Sequence, residues 1–178
     1  DHEARRGRGP GRRVVEGAPL TLSVRSIGRS GAGIAPSTRD AARVENDGHL
    51  VVERGPVSES YRNLDEGVEQ SWGFPVAPAG RGDLVVRVAA SGLRYVGETE
   101  RGLHFADART GLGFAYGHAT WIDARGAETR VPARFVGGAI ELAVPSSVVE
   151  ASAYPAVLDP VISPEFEMDQ PVFAAPEV

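Results

Sequence analysis

Histidines are the side chains of this chain best suited to acid–base or metal chemistry, because imidazole titrates near neutral pH and binds transition metals. His104 and His118 stand in two strand-like segments separated by the turn sequence ARTG at 108–111. If these segments pair, the two imidazoles approach one another, and Asp107 or Asp123 could complete a metal site. The spacing matches no known metal-ligand signature, so our main interpretation is that both histidines are structural and that the chain uses no cofactor.

Motifs of nucleophilic and glycosidic catalysis are missing from the sequence. The chain contains no cysteine, and its segment GRSGAG at 28–33 lacks the glycine spacing of a nucleophile elbow. Carboxylate pairs such as Glu98 and Glu100 fall in turn-like segments, where solvation explains them better than glycosidase chemistry. We therefore expect a protein that is not an enzyme.

Aromatic side chains offer a different chemistry, the stacking of rings on sugars. The candidates for such a binding surface are Trp121, His118, Tyr116 and Trp72, with Tyr61 as a further member. Most aromatics of a β-sandwich fill its core, so burial is the expectation for most of these residues. Trp121 is the expected exception, because strict alternation puts it on the strand face opposite Phe114.

A polar pair inside a strand-like segment predicts a buried hydrogen-bond network. Glu69 and Gln70 interrupt an otherwise apolar strand pattern. If the alternation holds, one of the two side chains points inward, where a polar group needs partners. Arg62 and Arg94 are the candidate partners.

The segment SAYPAVLDP at 152–160 has the composition of a domain terminus. We expect the ring of Tyr154 to pack on the edge of the domain while its hydroxyl finds a hydrogen-bond partner. Residues 156–158 are predicted to form a last, short edge strand that ends at Pro160. Asp159 is expected to cap a turn or to pair with an arginine.

The elements that position these residues are predicted to be strands. Apolar and polar residues alternate with period two in many short segments, and no segment keeps a helical period. The turn Asn46-Asp47-Gly48 and the pair Gly137-Gly138 each predict a hairpin. We predict an all-β protein, an antiparallel β-sandwich of about ten short strands with little or no helix; a barrel is the alternative.

Composition and charge divide the 178 residues into three parts. Residues 1–17 are predicted to be a flexible basic arm, 18–160 a sandwich domain, and 161–178 a proline-rich acidic linker to a downstream domain. The net charge of −5 argues against a nucleic-acid partner, and no apolar stretch is long enough for a transmembrane helix.

Four stretches resemble an N-terminal β-rich module of large secreted and surface proteins of myxobacteria, which often precedes β-propeller or FG-GAP-like repeats. They lie at 44–63, 67–75, 113–145 and 154–165, and the last, YPAVLDPVISPE, is the most specific. The resemblance implies a non-catalytic module that is exported from a Gram-negative cell and followed by further domains. The chain departs from the pattern at 117–119, GHA, where apolar residues are commoner.

These observations predict a structural or interaction module that is secreted or held on the outer cell surface. Its expected partners are a downstream domain of the same polypeptide or another surface protein, with polysaccharide as a further candidate. One alternative is a propeptide or accessory domain of a secreted hydrolase. A second alternative is a carbohydrate-binding module that uses exposed aromatics.

Overall fold

The computed structural model describes residues 21–34, 41–65 and 67–165. Over this part of the chain, fourteen β-strands form two antiparallel sheets, and one short helix follows β13. This architecture confirms the predicted all-β class and agrees with the predicted sandwich. The predicted arm and residues 166–178 of the predicted linker lie outside the described residues. None of the described helical residues forms a helix long and apolar enough to cross a bilayer.

The smaller sheet has five strands. They are β1 (Thr21–Ser30), β2 (Ala32–Ile34), β7 (Arg81–Ser91), β12 (Ala133–Val136) and β13 (Ala139–Val144). Their order across the sheet is β12-β13-β7-β1-β2, and every neighbouring pair is antiparallel.

The larger sheet has nine strands. They are β3 (Ala41–Val44), β4 (Leu50–Arg54), β5 (Val57–Leu64), β6 (Gly67–Phe74), β8 (Arg94–Thr99), β9 (Gly102–Ala106), β10 (Gly113–Ile122), β11 (Glu128–Val131) and β14 (Ala156–Glu165). Their order is β3-β4-β5-β6-β14-β10-β9-β8, and β11 pairs with β10.

Both predicted hairpins are confirmed. The turn between β3 and β4 contains Gly48 at φ +85°, and the turn between β12 and β13 contains Gly137 and Gly138 at φ +58° and +76°. Glycine adopts positive φ without the steric cost that a side chain brings, which explains why these dipeptides set the two turns.

The core lies between the two sheets and takes side chains from both. Its largest fully buried apolar and aromatic members are Trp72, Trp121, Tyr116, Phe74, Phe105, Ile27, Leu84, Leu103, Ile140, Leu142 and Leu158. On one side, the ring of Tyr95 stacks on that of Phe135 with centroids 4.3 Å apart, which joins β8 of the larger sheet to β12 of the smaller one. Helix α1 (Ser146–Ala151) adds Val149 to the core.

A bulge in β10 overturns the expected exposure of Trp121. The β10–β14 register shifts between Tyr116 and Ala119, which inserts one extra residue at Gly117-His118. As a result, Tyr116 and Trp121 both face the core, and each is only 1% exposed. The prediction that Trp121 is exposed was wrong because strict alternation does not continue through a bulge.

The last strand also differs from the prediction. We expected a short edge strand that ends at Pro160, but β14 continues to Glu165 and lies in the interior of the sheet, between β6 and β10. Proline lacks the N–H that an interior strand normally donates, and it is tolerated there mainly at bulges. Pro160 lies opposite Ala119, where the β10 bulge interrupts the ladder. The predicted boundary at 160/161 therefore falls inside a strand.

Candidate functional site

A buried polar network occupies the inner face of the larger sheet. Glu59 on β5 and Gln70 on β6 have no exposed surface, and the Gln70 amide donates to Glu59 Oε1 over 2.7 Å. The other carboxylate oxygen, Oε2, accepts from the half-buried guanidinium of Arg54. Gln70 is therefore the inward member of the Glu69-Gln70 pair, and its partners differ from the predicted Arg62 and Arg94.

Two tyrosines complete this network. The Tyr61 hydroxyl donates to Glu59 Oε1, and the Tyr116 hydroxyl donates to Gln70 Oε1 over 3.1 Å. Burial raises the pKa of Tyr116, and burial together with the charge of Glu59 raises the pKa of Tyr61. Both hydroxyls thus keep their protons at neutral pH and act as donors. With every group engaged, the network serves to hold strands together and leaves no free acid or base in it.

Sequence reasoning missed Glu59 as a member of the network. The signal was present, because the segment VSESYRNL at 57–64 alternates and puts Glu59 on the same face as Val57 and Tyr61. A carboxylate on an otherwise inward-facing row requires hydrogen-bond donors nearby.

Glu69 points away from the core, toward the outer face of the larger sheet. It lies directly opposite Arg62 of β5 and opposite Val161 of β14. The Arg62 guanidinium contacts Asp47 in the β3–β4 turn at 3.4 Å. Arg94 belongs to β8 at the far edge of the sheet, opposite Ala106.

Asp159 shares this outer face, and the expectation that it caps a turn was wrong. It lies within β14, where it caps no turn, and its Oδ1 atom is buried without a hydrogen-bond partner among the described residues. Burial, and then the nearby charge of Glu69, raises its pKa from 3.8 to about 6, although Arg62 acts in the opposite direction. Asp159 therefore holds a proton more tightly than an ordinary carboxyl group.

Tyr154 packs its ring and bonds its hydroxyl as we expected from the sequence. Its hydroxyl donates to the Val149 carbonyl of α1 over 2.8 Å, and its ring meets that of Trp121 edge-on at 6.4 Å. The Trp121 indole N–H donates to the Ser152 hydroxyl over 2.8 Å. These contacts fix the segment between α1 and β14 against the end of the sandwich.

Two aspartates stabilise turns by accepting hydrogen bonds from the backbone that follows them. Asp123 Oδ1 accepts from the backbone of Arg125 and Ala127, and Oδ2 accepts from the Arg125 guanidinium and from Ala153 N–H. These bonds, that of Ala153 first, hold the pKa of Asp123 well below its ordinary value. Asp107 accepts from Arg109 N–H over 2.7 Å in the equivalent turn. The similar sequences DART and DARG thus encode similar turns.

The two histidines are brought onto one strand pair but have different partners. β9 does pair with β10, and His104 lies opposite Ala115. His104 Nε2 contacts the Thr99 hydroxyl at 2.6 Å, whereas His118 Nδ1 accepts from Ala133 N–H over 3.0 Å. Within the described ranges, no group of three or more His, Cys, Asp or Glu side chains is arranged to hold a metal ion.

The aromatic residues considered for sugar stacking lie in the core. Trp72 has no exposed surface, Tyr116 and Trp121 are each 1% exposed, and Tyr61 is half-buried with its hydroxyl in the polar network. These four rings therefore provide no open platform for a sugar ring.

A separate groove of about 480 Å³ lies on the outer face of the smaller sheet, lined by residues of β1, β2 and β7. Ser26, Ser30, Arg81 and Arg87 line it, and none of the candidate site residues predicted from the sequence does. Sequence reasoning missed it because its residues come from three strands, of which β7 is distant in the chain.

Comparison with known proteins provides no relative for this chain: no family model, curated protein or solved structure matches it significantly.

Proposed function

We propose that the chain is a non-catalytic β-sandwich module of a larger protein that is secreted or displayed on the outer cell surface, with a structural or interaction role. The observation that carries this proposal is that buried polar side chains are engaged in hydrogen bonds that hold the fold together. Glu59 and Gln70 are saturated by neighbours, and Asp123 is saturated by its turn.

Two features of the sequence support an extracytoplasmic location. The chain contains no cysteine, so oxidation outside the cytoplasm cannot create wrong disulfides. The stretches at 44–63 and 154–165 resemble a module of exported myxobacterial proteins. The compact network on the inner face suits a domain that must remain folded without disulfides.

The proposal is tested by locating the protein in its native source. We expect an antiserum against residues 21–165 to detect a polypeptide larger than 178 residues in the medium or, on intact cells, accessible to added protease. Detection in the cytosol alone would refute the proposal. A discrete fragment that ends between 161 and 178, identified by mass spectrometry, would instead support the alternative of a cleaved propeptide.

A further inference from the structure

The groove on the smaller sheet has two glycines, Gly28 and Gly33, in the middle of its floor, beside the side chain of Val85. Ile27 is buried on the inner face, so its neighbour Gly28 lies on the outer face. Within the sheet, Gly28 lies opposite Gly33 of β2 and opposite Val85 of β7. A Cβ atom at Gly28 would lie 2.6 Å from the Ala32 carbonyl oxygen, so the tight β1–β2 hairpin requires glycine at this position. The β2 backbone thus covers Gly28, and the open part of the floor lies over Gly33, where a Cβ atom would meet nothing within 4 Å.

Arginine and serine pairs stand at the two ends of this floor. Ser30 lies opposite Arg81, and Ser26 lies opposite Arg87. Arg81 is exposed and has no ion-pair or hydrogen-bond partner among the described residues, whereas Arg87 contacts Glu141 at 2.7 Å with half of its side chain exposed. Ser26 and Ser30, which lie opposite the two arginines, are four residues apart on β1, about 13 Å of extended strand, and β7 bulges between Arg81 and Val85.

The single carboxylate that lines the groove already has a structural role. Asp83 Oδ1 accepts from Ser146 N–H at the start of α1 over 2.9 Å. The neighbouring Gly82 carbonyl accepts from the Arg29 guanidinium over 2.7 Å, so both residues are engaged within the fold. The free hydrogen-bonding capacity of the groove is therefore mainly that of guanidinium donors and serine hydroxyls.

We propose that this groove binds an acidic polysaccharide, with carboxylate or sulfate groups held by Arg81 and Arg87. Guanidinium groups bind such anions through paired, charge-assisted hydrogen bonds, and serine hydroxyls suit sugar hydroxyls. The lining contains no aromatic ring, which argues against neutral sugars and single-stranded nucleic acid, both of which are bound by stacking. At Ile27 and Gly28, β1 pairs with β2 on one side and with β7 on the other, so the middle of the floor offers no strand edge to which a peptide could add.

The inference rests on the proposed function, since it names the kind of surface that the module would contact. Its test uses residues 1–178, with sodium polygalacturonate as the carboxylated probe, dextran sulfate as the sulfated probe and neutral dextran as the control. We expect retention by at least one acidic probe in affinity electrophoresis, weakening with salt, and none by dextran.

Substitutions locate the binding site. Arg81→Ala and Arg87→Ala should each weaken binding roughly tenfold, the effect of losing one charge-assisted contact. Gly33→Gln should abolish binding with both arginines in place, because a Cβ atom there meets no atom within 4 Å and extends over the groove. Arg109→Ala removes the same charge from a turn of the larger sheet, where the side chain is 86% exposed, and should leave binding unchanged.

Several outcomes would overturn the inference. They are no retention by either acidic polysaccharide, retention by poly-L-glutamate alone, which would indicate an acidic protein partner, or equal losses for Arg109→Ala and Arg81→Ala. Thermal unfolding of each variant separates lost binding from lost folding. These assays do not test the location of the protein, so a negative result would refute binding at the groove without refuting the proposed extracytoplasmic module.

Discussion

Asp123 and Asp159 show how surroundings decide the behaviour of one residue type. Asp123 gathers backbone and guanidinium donors, so its carboxylate form is favoured and its stabilising contribution persists until the pH falls through its lowered pKa. Asp159 is half-buried beside Glu69 with an unpartnered oxygen, so its neutral form is favoured. The two groups therefore act on stability in opposite directions as pH changes.

Replacing Asp159 by asparagine is expected to stabilise the protein at neutral pH. The folded protein holds the Asp159 proton up to pH about 6 and the unfolded chain only up to 3.8, so between these values the folded state binds more protons. The free energy of unfolding therefore falls as pH rises through this window, and Asp159→Asn removes that loss. The gain at pH 7.5 should be roughly 1–2 kcal/mol, allowing for solvent screening of a half-buried group.

Urea denaturation at pH 3.5 and pH 7.5, followed by fluorescence of the buried Trp72 and Trp121, measures this effect. The gain should be present at pH 7.5 and nearly absent at pH 3.5, where Asp159 is mostly protonated in both states. Asp65→Asn, at an exposed position, is the control. A variant less stable than wild type at pH 7.5 would show that the Asp159 carboxylate is stabilising in the folded state.

At the scale of elements, the bulge in β10 determines which aromatics reach the core. It is possible because Gly117 carries no side chain: a Cβ atom there would lie 2.7 Å from the Val161 carbonyl oxygen of β14. The departure from the resembled pattern at 117–119 thus coincides with a structural feature. The residue that follows, His118, accepts the Ala133 N–H where the chain passes from β11 in one sheet to β12 in the other.

Gly117→Ala should destabilise the domain, because the added methyl group forces β10 and β14 apart. We expect a cost of about 1–3 kcal/mol, the usual range for overpacking. The matched control is Gly97→Ala in β8, where a Cβ atom meets nothing within 4 Å. Thermal unfolding followed by circular dichroism measures both variants, and equal transition temperatures would show that the β10–β14 pair adapts to the methyl group.

Across the whole molecule, the buried network connects strands that are distant in sequence. The Tyr116 hydroxyl on β10 reaches Gln70 on β6 across the intervening β14, and Gln70 in turn bonds Glu59 on β5. Such a network specifies which strands are neighbours, because any other arrangement would leave buried polar groups without partners.

Removing one hydroxyl group from this network should destabilise the entire fold. Tyr116→Phe leaves Gln70 Oε1 buried without its donor, which typically costs about 1–3 kcal/mol. Tyr95→Phe deletes the same atom from a ring whose hydroxyl has no partner in the described structure, so it should change stability by less than about 0.5 kcal/mol. Chemical denaturation of both variants tests the difference, and equal losses would mean that the Tyr116 hydrogen bond contributes nothing.

From the sequence alone we could predict the strand class, both glycine hairpins and the hydrogen-bonded hydroxyl of Tyr154. These features depend on period-two alternation and on turn residues, which are local properties. Only the tertiary structure decided that Trp121 is buried, that β14 lies inside its sheet, that Gln70 bonds Glu59, and that Arg81 and Arg87 border one groove. The physical reason is that bulges and strand order depend on contacts between segments far apart in the chain, which local pattern does not encode.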